Sequence, residues 1–230
     1  MRGSAAIAPD ILRLYRGIAV PVDDVDATKD SIKTKGLDNT VRWALPDFSA
    51  EELFRDPLSY YIDRATFPVL GACGDEGGAT YYACRHHRTK EATEPLVVVF
   101  DAPVEDCLVD CRDLLCTVFQ RWDSMGGNSK SDVLAALRQI FGASIARYFE
   151  AAAATTEHEI RIGLCNGASY DREVVLGHYS NDVCWQGRHQ VRCRSAFAVR
   201  GPVPPMRIVD VRKADESQIP TPTITLDDLL

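Results

Sequence analysis

The sequence predicts a single mixed α+β domain, and three observations support this fold class. The chain has 230 residues, of which 46% are hydrophobic, so it is long enough to bury one sizeable core. Residues 96–100 form a continuous apolar run, which is typical of a strand covered on both faces. Residues 131–154 carry an apolar stripe at helical spacing. We expect the domain to span residues 11–212, between a flexible N-terminus at 1–10 and a disordered, proline-rich acidic tail at 213–230.

The other elements follow from local patterns in chain order. Residues 11–20 have the composition of a strand. Ser49 is expected to cap a short helix, because acidic residues follow in its first turn. A further helix is predicted at 78–83, and Gly142 is expected to weaken the helix at 131–154. The last third of the chain is predicted to hold strands at 160–164, 173–176, 191–199 and 206–211.

Charge and hydropathy exclude two classes of function. The formal net charge is −7 at pH 7, whereas a general nucleic-acid-binding protein needs a basic surface to offset phosphate charge. No apolar run approaches the length that a membrane-spanning helix requires. We therefore expect neither nucleic acid nor membrane as a general partner.

The spacing of cysteines and histidines gives no metal motif. The eight cysteines include no C-x-x-C pair, and no histidine lies in an H-E-x-x-H segment. Buried thiols in a reduced protein are the favoured interpretation, with a disulfide and a metal site as the alternatives. We expect no metal cofactor.

Two acidic residues stand at the start of an apolar segment near the C-terminus. Asp171 and Glu173 precede three residues that favour strands, Val174-Val175-Leu176. In an extended chain the two carboxylates would share one face, because side chains alternate with period two. The alternative is an edge strand whose charges are simply solvated.

The order of these segments resembles the ADP-ribosyltransferase superfamily, in particular its R-S-E toxin-like branch. The resemblance rests on Arg16 in the first strand, on an aromatic helix after the segment 71–73, and on the D-x-E segment. It spans residues 12–211 and depends on order and context. It implies a split β-sandwich, in which two sheets with flanking helices form a cleft for NAD.

The resemblance also implies roles for individual residues. Glu173 would stabilise the ribosyl cation that forms when nicotinamide leaves, and Asp171 would engage the acceptor. Arg16 would bind the phosphate or ribose side of NAD, with Tyr15 beside it and Gly17 allowing close approach.

Two further positions are assigned by the same resemblance. Gly71-Ala72-Cys73 stands where the family has Ser-Thr-Ser, so either Cys73 or Thr80 would replace a hydroxyl only weakly. Either Tyr81 or Tyr82 would stack on nicotinamide, while core packing is the competing role for at least one of them.

The implied activity is transfer of ADP-ribose from NAD to a side chain of a target protein. Threonine of ubiquitin, modified by a secreted effector or toxin, is one branch of the family that fits. An NAD glycohydrolase and a non-catalytic binding module remain as alternatives. Localisation stays open between the host cytosol, after secretion, and the cytoplasm.

Overall fold

The computed structural model describes residues 9–38, 48–61, 70–86, 92–123 and 128–230. Within these ranges the fold is α+β, with a six-stranded antiparallel sheet, a smaller three-stranded sheet and several helices. Most of the predicted flexible N-terminus, residues 1–8, lies outside the described residues.

The large sheet has the strand order β4-β7-β2-β1-β3-β8, and every neighbouring pair is antiparallel. Its strands are β1 (Ile11–Pro21), β2 (Leu70–Cys73), β3 (Thr93–Pro103), β4 (Cys107–Val109), β7 (Ala196–Val199) and β8 (Ile208–Lys213). The small sheet has the order β6-β5-β9. Its strands are β5 (Trp185–Gln186), β6 (Arg192–Cys193) and β9 (Ile224–Thr225).

The α-helices of the described ranges are α1 (Val25–Lys35), α2 (Ala50–Arg55), α3 (Glu76–Tyr81), α4 (Leu115–Arg121), α5 (Lys130–Phe141), α6 (Ile145–Ala152), α7 (His158–Tyr170) and α8 (Arg172–Tyr179). α3 packs on β1 and continues as a π-helical turn, Tyr82–His86. α7 packs against α2, α4 and α6. Short 3₁₀ turns join several elements.

The predictions for the first two thirds of the chain largely hold. Residues 96–100 lie inside β3 and are buried, as expected for a strand covered on both faces. The Ser49 hydroxyl caps α2 by accepting a hydrogen bond from the backbone N–H of Glu52. Gly142 ends α5 in a left-handed conformation (φ 81°), so the predicted long helix is divided into α5 and α6. Glycine adopts this conformation without the penalty that a side chain imposes.

The strands predicted at 160–164 and 173–176 are wrong, because these residues belong to α7 and α8. Asp171 caps α8: its carboxylate accepts a hydrogen bond from the backbone N–H of Glu173 at 2.8 Å. Val174, Val175 and His178 then share the buried side of the helix, which is helical rather than alternating spacing. Capping and tertiary burial override the β-propensity of the valines.

The strand predicted at 191–199 is two strands, β6 and β7. The Asp75 carboxylate interrupts them by accepting hydrogen bonds from the backbone N–H groups of Arg194 at 2.8 Å and Ser195 at 3.4 Å. The strand predicted at 206–211 is confirmed, with a shift of two residues, as β8.

The tail predicted to be disordered at 213–230 is structured. Ile224 pairs with Trp185 in a parallel register, and the Thr223 N–H donates to the Cys184 carbonyl at 2.8 Å. Leu229 is buried. Backbone pairing and one apolar anchor therefore order a segment whose composition alone suggested disorder. In the described part of the chain, no helix is both long and apolar enough to span a membrane.

Candidate functional site

A cavity of about 430 Å³ opens where β1, β2 and two loops meet. Volumes of this order are typical of small-molecule sites. Its walls come from distant parts of the chain and include Tyr15, Arg16, Gly17, Gly71, Ala72, Cys73, Tyr82, Asp110, Arg112, Asp113, Arg188, His189, Val191 and Ala196.

The register of the large sheet brings most of the predicted cofactor-binding residues together. Tyr15 of β1 pairs with Cys73 of β2, so the two strands present neighbouring segments to the cavity. Tyr82 enters from the π-helical turn after α3. Five of the six predicted residues, Tyr15, Arg16, Gly17, Cys73 and Tyr82, therefore line one cavity.

Arg16 places a partly buried guanidinium at the wall of this cavity. Its Nη1 donates a 2.7 Å hydrogen bond to the carbonyl of Gly71, and the side chain is partly buried. Among the ion pairs of the described residues, none includes Arg16. Burial without a nearby carboxylate lowers the pKa of Arg16 from its ordinary value. The charge of a bound anion would offset this desolvation penalty.

Arg13, on the same strand, shows the opposite situation. It is exposed and pairs with Asp101, with Nε and Oδ1 2.5 Å apart. This side-chain hydrogen bond raises the pKa of Arg13. The two arginines of β1 therefore differ in the property that matters for anion binding, the presence of a carboxylate partner.

The first loop of the cavity carries a charged pair. Arg112 donates to Asp110 through Nε at 2.8 Å and Nη2 at 2.5 Å, in the two-pronged geometry that suits a carboxylate. This contact is the main cause of the raised pKa of Arg112. Asp110 thus presents an oriented carboxylate at the cavity wall.

The second loop, residues 187–190, is fastened to the first through Asp113. The Asp113 Oδ1 accepts the backbone N–H of His189 at 2.7 Å, and its carbonyl accepts that of Arg188 at 3.3 Å. A side chain at Gly187 would lie 2.0 Å from Asp113 Oδ2, so glycine permits this close approach. Burial raises the pKa of Asp113, although the His189 N–H opposes the shift.

The loop also presents a cation to solvent at the cavity mouth. Arg188 is exposed and donates to His189 Nε2 from Nη2 at 3.0 Å. Because a guanidinium can only donate, Nε2 of His189 is the acceptor in this contact. Asp113 holds the backbone of Arg188 and His189 in place through its Oδ1 and its carbonyl.

Gly17 and Tyr81, two of the predicted cofactor-binding residues, make contacts different from those expected. Gly17 lines the cavity, but a side chain there would lie 1.9 Å from the Ala79 carbonyl, so its lack of a side chain allows α3 to approach β1. Tyr81 is not among the cavity-lining residues and packs edge-on against Tyr82, with ring centroids 6.5 Å apart. Burial raises the pKa of Tyr82, which keeps its phenol protonated.

The predicted catalytic pair, Asp171 and Glu173, does not line the cavity. Asp171 is buried between helices, where it accepts hydrogen bonds from the Tyr148 hydroxyl at 2.6 Å and from Arg147. Glu173 is exposed and accepts from the Ser144 hydroxyl at 2.6 Å. Because the segment is helical, the shared strand face on which their roles were based does not exist.

The carboxylates that do line the cavity, Asp110 and Asp113, were not predicted. A local signal was present, since three charged residues follow the buried strand β4 within four positions. The hydrogen bond between Asp113 and His189 joins residues 76 positions apart and has no local signature.

Comparison with known proteins leaves the site to be interpreted from its own geometry. No protein-family model matches the chain, and neither the curated proteins nor the solved structures contain a significant match.

Proposed function

We propose that this protein binds NAD in the cavity and transfers its ADP-ribose to a side chain of a target protein. The observation that carries the proposal is Arg16, a partly buried guanidinium that faces the cavity without a carboxylate partner among the described residues. Such a group favours a phosphate ligand, because its fork of donors matches phosphate oxygens. Arg188 adds a second cation at the mouth.

The other cavity residues supply what the rest of NAD needs. The Tyr82 ring offers an aromatic surface for nicotinamide, and the Cys73 strand forms the adjacent wall. In this proposal the cavity is an ADP-ribosyltransferase-like cleft. The large sheet forms one side, and the loop of residues 187–190, between β5 and β6, forms the other.

The catalytic carboxylate is assigned to Asp110 instead of Glu173. The bond between the ribose carbon and nicotinamide breaks, and nicotinamide leaves with the electron pair. Asp110, oriented by Arg112, offsets the positive charge on the ribose, as carboxylates do in glycosidases. The acceptor oxygen then bonds to the ribose carbon and loses its proton to a base.

Incubation with labelled NAD and a cell lysate, followed by mass spectrometry, tests the activity. Purified ubiquitin should be included in the assay as a candidate acceptor, because the hydroxyl of a threonine fits the proposed chemistry. Labelled protein would support the transferase, and nicotinamide release without labelled protein would support a glycohydrolase. Arg16→Ala should abolish NAD consumption, whereas Arg13→Ala, on the same strand, should not. NAD that neither binds nor reacts would contradict the proposal.

A further inference from the structure

Three thiols form a compact group beside the loop that carries Asp110. Cys116 Sγ lies 3.0 Å from Cys165 Sγ and 3.3 Å from Cys111 Sγ. All three sulfur atoms lie within 4.8 Å of one another. Cys111 and Cys165 are buried, and Cys116 is partly buried.

The three cysteines come from separate elements. Cys111 follows β4, Cys116 lies in the first turn of α4, and Cys165 lies in the middle of α7. The Cys116 N–H donates to the Cys111 carbonyl at 2.8 Å, so one turn of chain holds two of the thiols together. The third is 49 positions away, which explains why sequence spacing gave no metal motif.

We propose that Cys111, Cys116 and Cys165 bind one soft cation of the Cu(I) type. Thiolate sulfur is the protein ligand that soft d¹⁰ ions select, whereas thiols are weak hydrogen-bonding partners for each other. Binding replaces three S–H bonds by three metal–sulfur bonds and releases three protons. No change of oxidation state is involved when the ion is supplied as Cu(I).

The number of ligands favours Cu(I) over Zn(II). The described residues add no fourth histidine, cysteine or carboxylate to this group. Structural Zn(II) sites are almost always four-coordinate. Three sulfur atoms about 2.3 Å from one ion would be roughly 4 Å apart, so the cluster must open by about an ångström. Cys116, at the start of its helix and only partly buried, is the residue best placed to move.

The proposed metal site is distinct from the NAD cavity but adjacent to it in the chain. Cys111 lies between Asp110 and Arg112, which line the cavity. A cation bound by the three sulfur atoms would tie this loop to α4 and α7. The inference depends only on the thiol geometry and stands whether or not NAD is the ligand.

Anaerobic titration with Cu(I) against a colorimetric Cu(I) chelator tests the site. The reduced wild-type chain should bind one Cu(I) per chain in competition with the chelator, more tightly as the pH rises. Cys116→Ser and Cys165→Ser should each weaken this binding by more than about 100-fold, since each removes a ligand. Cys107→Ser is the matched control, because this buried thiol lies outside the cluster and donates to the Pro103 carbonyl at 3.2 Å, a bond that serine can keep.

X-ray absorption of the copper-loaded wild type provides a measurement that does not depend on the variants folding. Three sulfur neighbours would support the proposal, and nitrogen or oxygen in the coordination shell would overturn it. Equal competition by wild type and a folded Cys165→Ser variant would also overturn it. So would a disulfide that includes Cys116 in the anaerobically isolated chain, detected by peptide mapping without reduction.

Discussion

The Tyr148 hydroxyl donates a 2.6 Å hydrogen bond to Oδ2 of Asp171 in the buried layer between α6 and α8. The other carboxylate oxygen caps α8 through the Glu173 N–H. Arg147 pairs with the same group from a half-exposed position. This carboxylate thus joins two helices, and its bonding capacity is used for structure.

We therefore expect Asp171→Asn to reduce stability without affecting the cavity. Loss of a buried, charge-assisted hydrogen-bonding group should lower the free energy of unfolding by about 2 kcal/mol. Glu173→Gln is the exposed neighbour and should change it by less than about 0.5 kcal/mol. Urea unfolding measures both effects. NAD consumption by folded Asp171→Asn and Glu173→Gln should equal that of wild type, and loss of activity in Glu173→Gln would restore the D-x-E segment as the catalytic element.

Asp110 should behave differently from these two acids. In the proposed reaction, Asp110→Asn removes the charge that stabilises the ribosyl cation, so nicotinamide release and protein labelling should both fall about 100- to 1,000-fold. Asp106→Asn is a nearby control, because Asp106 pairs with Arg207 at 3.6 Å and is not a lining residue of the cavity. Chromatographic measurement of nicotinamide distinguishes the two variants. An active Asp110→Asn enzyme would remove Asp110 from the catalytic role.

Gly17 should be intolerant of a side chain for reasons of packing. In Gly17→Ala the new methyl carbon would lie 1.9 Å from the Ala79 carbonyl and 2.7 Å from the Ala83 nitrogen, both backbone atoms. Forcing α3 away from β1 should cost about 2 kcal/mol or more. Gly71→Ala offers a close comparison, since its methyl carbon would be no nearer than 3.8 Å to Arg16 Nη1. Denaturation midpoints that shift equally for both variants would contradict this explanation.

His178 should make stability depend on pH between about 4 and 6.5. The imidazole is buried: Nδ1 bonds to the Ile140 carbonyl and Nε2 accepts the Ala196 N–H, both at 2.9 Å. Burial lowers the pKa of His178 to about 4, opposed by the hydrogen bond to the Ile140 carbonyl and by the negative charge of Asp110. Within this window the unfolded chain binds the proton and the folded chain does not, so stability rises with pH.

The contribution of His178 to the pH dependence of stability can be measured by comparison with His178→Gln, whose side chain does not titrate between about pH 4 and 6.5. Across the window wild type should gain on the order of 3 kcal/mol from this residue, and His178→Gln should lack that gain. Urea unfolding at a series of pH values gives both curves, and their difference cancels the titration of surface carboxylates. Parallel curves for wild type and His178→Gln would show that His178 does not control the dependence.

Sequence patterns predicted the elements whose information is local. The apolar run at 96–100 and the Ser49 cap correspond to β3 and α2, because burial on both faces and first-turn capping leave short-range signatures. The grouping of Arg16 with Cys73 was also expected, from the order of the segments. It follows physically from the pairing of β1 with β2.

The failures arise where distant contacts decide the outcome. Val174 and Val175 favour strands locally, yet the Asp171 cap and a buried helical face impose α8. The loop bearing Arg188 reaches the cavity only because Asp113 holds it. The tail beyond β8 is ordered by β5, which lies about forty residues earlier. The last two contacts join residues too far apart for the window that periodicity examines, whereas the Asp171 cap is a local signal that the strand-forming valines outweighed in the prediction.

The order of the strands has a consequence for the synthesis of the protein. β7 lies between β4 and β2, and its first residue, Ala196, lines the cavity together with Arg16 of β1. A chain still emerging from the ribosome therefore has a gap in the large sheet until residues 196–199 are released. The cavity therefore cannot be complete in the nascent protein before translation has passed this strand.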